Sequence, residues 1–503
     1  MATVNNINIR FVENNLRHIR RFNFRLVARL LGLMLIIMGL SMAFPILVSI
    51  LYQDGSQYDL TISALLILMV GLLMRNFIGR NCNYELHEKE SFWITSVVWI
   101  LVPLMGALPF LFTGSLSTFT DACFESFSGF TTTGSSVLSD LERVPKGLLL
   151  WRGMTQWIGG LGLILFLIAL FRKLSVGSTQ LYDAEFSGTV QRKLHPRIST
   201  SVQLMWMIYV GMTLLLWGLL MMSGIDFFDS VCTTLATVST GGFMVHDNGV
   251  SSFPQSALVC LTLFMFLSGV NIAIIYRLVA GKPKEMWHNE EFRVYLVVFF
   301  IAVVSLSVAF YVQENGLLAS INYAFFHVAS TISTCGLSIP SPNNWPRIAS
   351  AITFVLIIIG ASAGSTGGAL KIKRVMILVK YVRNYFTRML HPHAVFSVTI
   401  DDTRISDDYI NKIFGFVFMY VMFIVGGGFV LTICGLDIPT AVCVSAANIA
   451  NLGPSPLIDV LGANFDYVTL VPLAKWTLIV LMLVGRIEIF AIIALFSPAY
   501  WRR

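Results

Sequence analysis

TISTCGLSIP, at Thr331–Pro340, places hydroxyl residues, a cysteine, a glycine and prolines inside a strongly apolar chain. A stretch of this polarity is too polar to cross lipid as a helix. Irregular backbone at membrane depth is tolerated only where it is buried in protein or lines a water-filled space. The stretch therefore indicates an intramembrane loop, if the chain around it spans a membrane.

The composition predicts a membrane protein with many spans. The chain has 503 residues, of which 56% are hydrophobic and only 12% are charged. Roughly 20 apolar helical residues are needed to cross the hydrocarbon core of a bilayer. The candidate spans are 24–51, 60–79, 91–113, 147–171, 198–223, 255–279, 294–313, 350–379, 410–435 and 468–496.

The positions of the basic residues predict the orientation of the chain. With the N-terminus inside, 27 of the 34 Lys and Arg residues fall on inner segments. Those segments are 1–26, 75–90, 172–197, 277–293, 371–412 and 497–503. Cytoplasmic loops of membrane proteins carry this excess of positive charge. We therefore expect both termini to be cytoplasmic, and the net charge of +7 requires no nucleic-acid partner.

The polar stretch has four copies along the chain. They are DACFESFSGFTTTG ending at Gly134, DSVCTTLATVSTGG at Gly242, YAFFHVASTISTCG at Gly336 and TAVCVSAANIANLG at Gly453. Six positions before each glycine lies a small residue, namely Ser128, Ala236, Ser330 or Ala447. Each copy lies between two candidate spans. The pattern predicts four repeats of span, short helix, loop and span, preceded by two additional spans.

The repeat favours a cation pore. A helix of about 12 residues rises about 18 Å, so each short helix ends partway across the bilayer. Its C-terminal end carries partial negative charge, which favours a cation. Four returning loops with glycine can turn carbonyl oxygens toward one axis and replace the hydration shell of an ion. The predicted filter residues are Thr132, Thr133, Gly134, Thr240, Gly241, Gly242, Thr334, Cys335, Gly336, Asn451, Leu452 and Gly453.

The second span of the third repeat contains GASAGSTGG at Gly360–Gly368. Each glycine weakens a helix interior by roughly 1 kcal/mol relative to alanine. Close packing between helices is one interpretation. We favour a broken helix that forms an intramembrane loop beneath the filter.

Several polar residues fall within or beside the spans. Arg486 lies deep in the last span, where a charge is costly unless it faces water or a partner. It either forms a structural ion pair or faces the pore. Arg152 and Asn271 are interpreted as packing or interhelical hydrogen-bonding residues, and Lys475 as structural. Asp121 and Asp229 are predicted to cap the first two short helices.

These motifs resemble the Trk/Ktr/HKT superfamily of potassium transporters, and within it the bacterial Trk pore subunits of the TrkH and TrkG type. The resemblance covers nearly the whole chain. The residues that carry it are TTTGSS at 131–136, STGGF at 239–243, STCGLS at 333–338, NLGPS at 451–455, GASAGSTGGALKIKR at 360–374 and GRIEIF at 485–490. Glycine at all four filter positions accompanies potassium selectivity in this superfamily.

The resemblance implies potassium uptake across the bacterial inner membrane through a channel-like pore. It implies K⁺ at the filter residues and no organic cofactor. It further implies a homodimer docked on a cytosolic, nucleotide-binding TrkA-type subunit, and an Arg486 side chain that limits flux below the filter. The gate residues that it implies are Gly360, Gly364, Ser365, Thr366, Gly367, Gly368 and Arg486.

The expected architecture is an all-α polytopic membrane protein with a pseudo-fourfold pore. The expected units are an N-terminal two-helix extension at 1–90 and pore repeats at 91–196, 197–292, 293–408 and 409–503. An ion-coupled carrier for sodium or ammonium is the main alternative, but carriers usually have two inverted repeats rather than four parallel ones. The sequence contains no P-loop or HExxH motif, so we expect no enzyme.

Overall fold

The computed structural model of the protein describes residues 23–79, 88–163, 165, 198–313, 316–339, 345–391, 397–401, 403–453 and 465–487. Six helices in these ranges are long and apolar enough to cross a membrane, and one bent pair of helices is a seventh candidate. The protein is therefore a largely α-helical, multi-pass membrane protein. This confirms the fold class that the composition predicts.

Two spans precede the repeats. Their elements are α1 (Phe24–Ser41), α2 (Ala43–Tyr52), α3 (Gln57–Leu73) and a π-helical turn (Met74–Ile78). The spans pack through glycines, since a Cβ on Gly32 would lie 2.6 Å from the carbonyl oxygen of Gly71. Small residues allow this close backbone approach, which is a common way for helices to associate in membranes.

The first repeat contains a short helix between two longer ones. Its elements are α4 (Glu88–Gly106), α5 (Leu108–Phe112), α6 (Phe119–Phe130), a 3₁₀ turn (Leu141–Arg143) and α7 (Lys146–Gly160). Within the predicted span 147–171, α7 ends at Gly160, and helical backbone is found again at Leu163 and Leu165. Gly162 follows with φ +97°, a left-handed conformation that does not continue a helix. Position 164 and positions 166–171 lie outside the described residues.

The second repeat contains a sharp bend within the predicted span at 255–279. Its elements are α8 (Ile198–Met222), α9 (Phe227–Val238), α10 (Gln255–Ser268), α11 (Ile272–Val279) and α12 (Pro283–His288). The predicted span is not one straight helix, because α10 and α11 meet at a bend of 110°. Asn271 starts the new helix by accepting a hydrogen bond from the Ala273 N–H.

The third repeat contains the interruption that the glycines predict. Its elements are α13 (Glu290–Tyr311), α14 (Leu317–Ile332), α15 (Arg347–Ile359), α16 (Ile372–Leu390) and the antiparallel hairpin β1 (Thr399–Ile400) and β2 (Thr403–Arg404). No helix covers 360–371, which we call the interrupted segment. Gly360 and Gly364 adopt φ +66° and +78°, so the backbone there requires glycine.

The fourth repeat completes the series. Its elements are α17 (Asp407–Ile433), α18 (Ile438–Ile449) and α19 (Pro472–Ile487). The predicted last span, 468–496, is helical from Pro472 to Ile487. Its positions 488–496 lie outside the described residues. The four short helices that carry the glycine loops are therefore α6, α9, α14 and α18.

Candidate functional site

The four short helices end in the same turn. The residue that opens each loop has a positive φ between 53° and 60°, a conformation that ends a helix; these residues are Thr132, Thr240, Thr334 and Asn451. The next residue donates its backbone N–H to the small residue six positions before the glycine. The pairs are Thr133 to Ser128, Gly241 to Ala236, Cys335 to Ser330 and Leu452 to Ala447, at 2.8–3.0 Å. One local geometry therefore recurs four times.

The four loops form a closed ring, in which each loop contacts the next one along the chain. We number them loop one (132–134), loop two (240–242), loop three (334–336) and loop four (451–453). The atoms nearest to a Cβ placed on each glycine are Gly241 O for Gly134 at 2.1 Å, Cys335 O for Gly242 at 1.9 Å, Gly453 N for Gly336 at 2.9 Å and Thr133 O for Gly453 at 3.3 Å. All twelve predicted filter positions thus come together.

Loop four departs from the other three. Gly134, Gly242 and Gly336 have φ between 74° and 80°, which side-chain-bearing residues rarely adopt. Gly453 does not have a positive φ. The atom nearest to a Cβ added there would be 3.3 Å away, which is farther than at any of the other three glycines. The ring is therefore fourfold in connectivity, but only three of its glycines are required by both backbone conformation and space.

Side chains of the ring contact neighbouring repeats. The Thr133 hydroxyl accepts a hydrogen bond from Asn451 Nδ2 at 3.1 Å, and the same amide donates to Met482 O at 2.9 Å. Cys335 Sγ lies 3.9 Å from Ala236 O. These three side chains are therefore engaged by other parts of the fold, which leaves the backbone carbonyls of the loops as candidate ligands for an ion. Neutral oxygens at the negative ends of four helix dipoles suit a dehydrated cation.

The interrupted segment lies directly against the ring. Gly368 N donates to the Thr334 hydroxyl at 2.9 Å. A Cβ on Gly368 would lie 2.2 Å from Ala450 O, and one on Gly367 would lie 2.7 Å from Ser333 O. These glycines are therefore needed for the segment to reach the ends of the third and fourth short helices.

The interrupted segment also forms backbone hydrogen bonds with the bend in the second repeat. Ser362 N donates to Gly269 O at 3.0 Å, and Ile272 N donates to Gly364 O at 3.1 Å. The break between α10 and α11 leaves these backbone groups free to pair with another chain segment. Sequence reasoning missed this contact, although Ser268–Asn271 reads SGVN, a helix stop followed by an N-cap residue.

Arg486 joins three repeats beneath the ring. Its guanidinium donates to Thr366 O at 2.9 Å, to Gly159 O at 2.6 Å and to Gly160 O at 2.5 Å. Thr366 belongs to the interrupted segment, and the two glycines end α7. The Arg486 side chain therefore lies beneath the ring, bound to carbonyls of the first and third repeats.

A cavity of about 50 Å³ lies at this point. Its lining includes Gly364, Ser365, Gly368, Lys371, Arg374 and Arg486. Three of its lining side chains are cationic, and sequence reasoning missed Lys371 and Arg374. The KIKR run directly after the glycines was the available signal.

A buried ion pair lies beside loop one. Arg152 Nε contacts Glu125 Oε1 at 2.5 Å, and both side chains are almost fully buried. Glu125 also accepts from Val137 N at 2.9 Å, while Arg152 donates to Met244 O at 2.7 Å. The pair thus ties the stretches that follow loops one and two. Arg152 was expected to pack or hydrogen-bond, but Glu125, a charge inside a short helix, was missed.

Replacing Glu125 with alanine should strongly destabilise the protein. The change leaves the Arg152 charge buried without its carboxylate partner, a loss of about 3–5 kcal/mol in comparable cases. We expect a lower melting temperature in detergent and less protein in the membrane. Glu142→Ala, which removes an acid with a side chain 55% exposed, is the control and should behave like the unchanged chain. Equal stability of the two variants would contradict a bracing role.

Acidic residues cluster at the ends of the short helices remote from the ring. The predicted caps Asp121 and Asp229 were wrong, because the residues that cap α6 and α9 are Thr118 and Asp226. Asp121 instead pairs with Lys475 at 2.6 Å, which anchors α19 to the first repeat. This fits the structural role predicted for Lys475.

The loops beyond the first two ring loops also meet at this end. Asp247 Oδ1 accepts from Leu141 N at 3.1 Å, and the Asp247 N–H donates to Glu142 at 3.4 Å. Burial raises the pKa of Asp247, and the hydrogen bond to the Asp247 side chain lowers the pKa of Glu142. This end of the molecule is thus rich in acids that attract cations.

The chain is similar to known cation transport proteins over nearly its whole length. A family model described as TrkH, cation transport protein, matches residues 60–503. The Trk system potassium uptake protein TrkH of Escherichia coli (strain K12) is 35% identical over 486 residues, which are 95% of this chain and all of that protein. The protein of that name from Halomonas elongata is 33% identical over 492 residues, covering 96% and 100%.

The fold agrees with these relatives. The crystal structure of the potassium transporter TrkH from Vibrio parahaemolyticus matches with a TM-score of 0.86 and 28% sequence identity, over 96% of this chain and all of that chain. Sequence and fold therefore indicate the same group of proteins, as the repeated glycine loops and the interrupted segment predicted. The chain belongs to the TrkH family of cation transport proteins.

Proposed function

We propose that this protein takes up potassium across the bacterial inner membrane through a channel-like pore. The closed ring of four loops is the observation that carries the proposal, since it brings the C-terminal ends of four short helices together. The relatives named as potassium uptake proteins support K⁺ as the transported ion. On this proposal the twelve ring residues bind K⁺ in place of its hydration shell.

The interrupted segment is proposed to be the gate. It lies against loops three and four, and its contacts to Gly269, Ile272 and Arg486 hold it there. The cavity beside it is small, at about 50 Å³, and has three cationic side chains in its lining. A K⁺ ion that leaves the ring would meet both a steric and an electrostatic barrier. The described conformation therefore corresponds to a closed pore.

The proposed orientation places both termini in the cytoplasm. The basic inner segments support it, because cytoplasmic loops carry most Lys and Arg residues. The acidic ends of the short helices then face the outside, where they attract cations. The cationic cavity and the interrupted segment lie toward the cytoplasm, so that a regulator inside the cell can reach them.

We propose a homodimer that binds a cytosolic, nucleotide-binding subunit of the TrkA type. The helix α16 supports this, since it leads directly out of the interrupted segment and carries Lys373, Lys380, Arg383 and Arg388. A subunit bound there could bias the gate through its contacts with two pore states. We expect the purified protein to be a dimer, and nucleotides to change flux only after the subunit is added. A nucleotide response of the chain alone would contradict this.

Rubidium uptake into proteoliposomes tests the proposed transport. We expect a membrane potential that is negative inside the vesicle to drive ⁸⁶Rb⁺ uptake. Excess external K⁺ should suppress this uptake, and the same concentration of Na⁺ should not. An ion-coupled carrier for sodium or ammonium is the second candidate, and it would show competition by its own substrate and a dependence on a coupling ion. The closed ring of four loops favours the pore, because carriers are usually built from two inverted repeats.

A further inference from the structure

A buried carboxylate on α13 reaches into the interrupted segment. Glu291 is only 3% exposed, and its Oε1 accepts a hydrogen bond from Ala363 N at 2.5 Å. A buried carboxylate is costly unless donors and cations surround it. Lys373, just beyond the exit of the segment, lines the same cavity as Glu291. The Glu291 carboxylate thus binds the first half of the interrupted segment directly.

This acid is not needed to begin its own helix. Asn289 caps α13, and its Oδ1 accepts from Phe292 N at 2.9 Å. Glu290 lies in the same first turn and adds the negative charge that a helix N-terminus favours. The Glu291 side chain is therefore free for the interrupted segment, and α13 would start normally without it.

The same helix turn receives the hairpin and α16. The Asp401 carboxylate of the hairpin accepts from Glu290 N at 2.8 Å and from Asn289 Nδ2 at 2.9 Å. Lys380 on α16 pairs with Glu290 and donates to Thr399 O at 2.8 Å. Three elements, the interrupted segment, α16 and the hairpin, therefore meet at residues 289–291.

We propose that Glu291 is the positioning residue that holds the interrupted segment closed and links it to the unit of α16 and the hairpin. The inference rests on the proposed gating role of that segment. A force on α16 or on the hairpin changes the distance between the interrupted segment and residues 289–291. The hydrogen bond from Ala363 N to Glu291 then breaks, and the segment is released. A cavity of about 370 Å³, lined by Glu291, Lys373 and Asp401 among others, gives water access to this point.

The test compares Glu291→Ala, Glu291→Gln and Glu285→Ala in proteoliposomes without any added subunit. Alanine removes both the charge and the acceptor, so we expect ⁸⁶Rb⁺ flux to rise about tenfold, the effect of losing one hydrogen bond to a charged group. Glutamine keeps an acceptor of the same reach without its charge, and we expect a smaller rise of about threefold. Glu285 lines the same cavity without bonding the segment, so its variant should match the unchanged chain.

The preference for K⁺ over Na⁺ should be unchanged in all three variants, because the ring is untouched. General loosening of the fold would reduce this preference together with the melting temperature. Wild-type flux in folded Glu291→Ala overturns the inference. If that variant does not fold, wild-type flux in Glu291→Gln overturns it, and so does an equal rise in Glu285→Ala.

Arg486→Ala, measured in parallel, separates this inference from the proposed gate. A rise in Arg486→Ala alone leaves the gate in place and contradicts the role of Glu291. No rise in either position contradicts the gate itself, and with it the inference.

Discussion

Gly242→Ala should abolish selective potassium uptake, whereas Gly453→Ala should retain most of it. A Cβ on Gly242 would lie 1.9 Å from Cys335 O, and its φ of +74° is one that alanine rarely adopts. Loop two must therefore move away from loop three, and the carbonyl ring is disrupted. At Gly453 the nearest atom is 3.3 Å away and φ is not positive, so a small shift accommodates the methyl group.

In Gly242→Ala we expect the ratio of K⁺ flux to Na⁺ flux to fall at least tenfold. That factor corresponds to a loss of about 1.4 kcal/mol in the binding free energy of K⁺ relative to Na⁺. Gly211→Ala is the control for the substitution itself, because Gly211 lies in α8 with open space around it. The three variants should be compared by ⁸⁶Rb⁺ flux with sodium competition and by growth of potassium-requiring cells. Normal selectivity in folded Gly242→Ala would refute the assignment of loop two to the filter.

Arg486→Ala should increase potassium flux by about tenfold or more, since a single hydrogen bond to a charged group is worth roughly 1.5–3 kcal/mol. The variant loses three bonds, to Thr366 O, Gly159 O and Gly160 O, and a positive charge beside the cavity. The interrupted segment is then less firmly held against the ring, and the electrostatic barrier to a cation is lower.

Arg486→Lys distinguishes the two contributions. Lysine keeps the charge, but its single ammonium group cannot reproduce the planar fork that reaches carbonyls of separate repeats. We expect a smaller increase in flux than in Arg486→Ala, measured by ⁸⁶Rb⁺ uptake at matched protein density. If both variants transport at the normal rate and are folded, Arg486 only packs the repeats together.

The sequence by itself determined the repeats and their loops. Four short apolar helices, each followed by a glycine six positions after a small residue, specify a local turn, and the same N–H to carbonyl bond is present in all four. The interruption at 360–371 was equally predictable, because glycines weaken a helix wherever they fall. Such features depend on residues close together in the chain, so that their pattern is visible in one dimension.

Local signals were weaker where one polar residue changes the path of a helix. The bend at Asn271 is not visible in the predicted span at 255–279, since the apolar residues on both sides together have the length of a span. Asp121 and Asp229 were placed at the caps, although Thr118 and Asp226 stand three residues earlier. In both cases the composition of a segment was read correctly, but the position at which the backbone turns was not.

Only the tertiary structure decided which distant residues meet. Arg486 binds carbonyls 120 and 327 positions away in the chain, and Glu291 binds an amide 72 positions away. The sequence marks each of these charges as costly in a membrane, but it does not name the group that compensates it. That choice depends on how four repeats pack around one ring, and small differences in packing also separate Gly453 from the other three glycines. Burial makes the partners obligatory, and the three-dimensional arrangement of the repeats selects them.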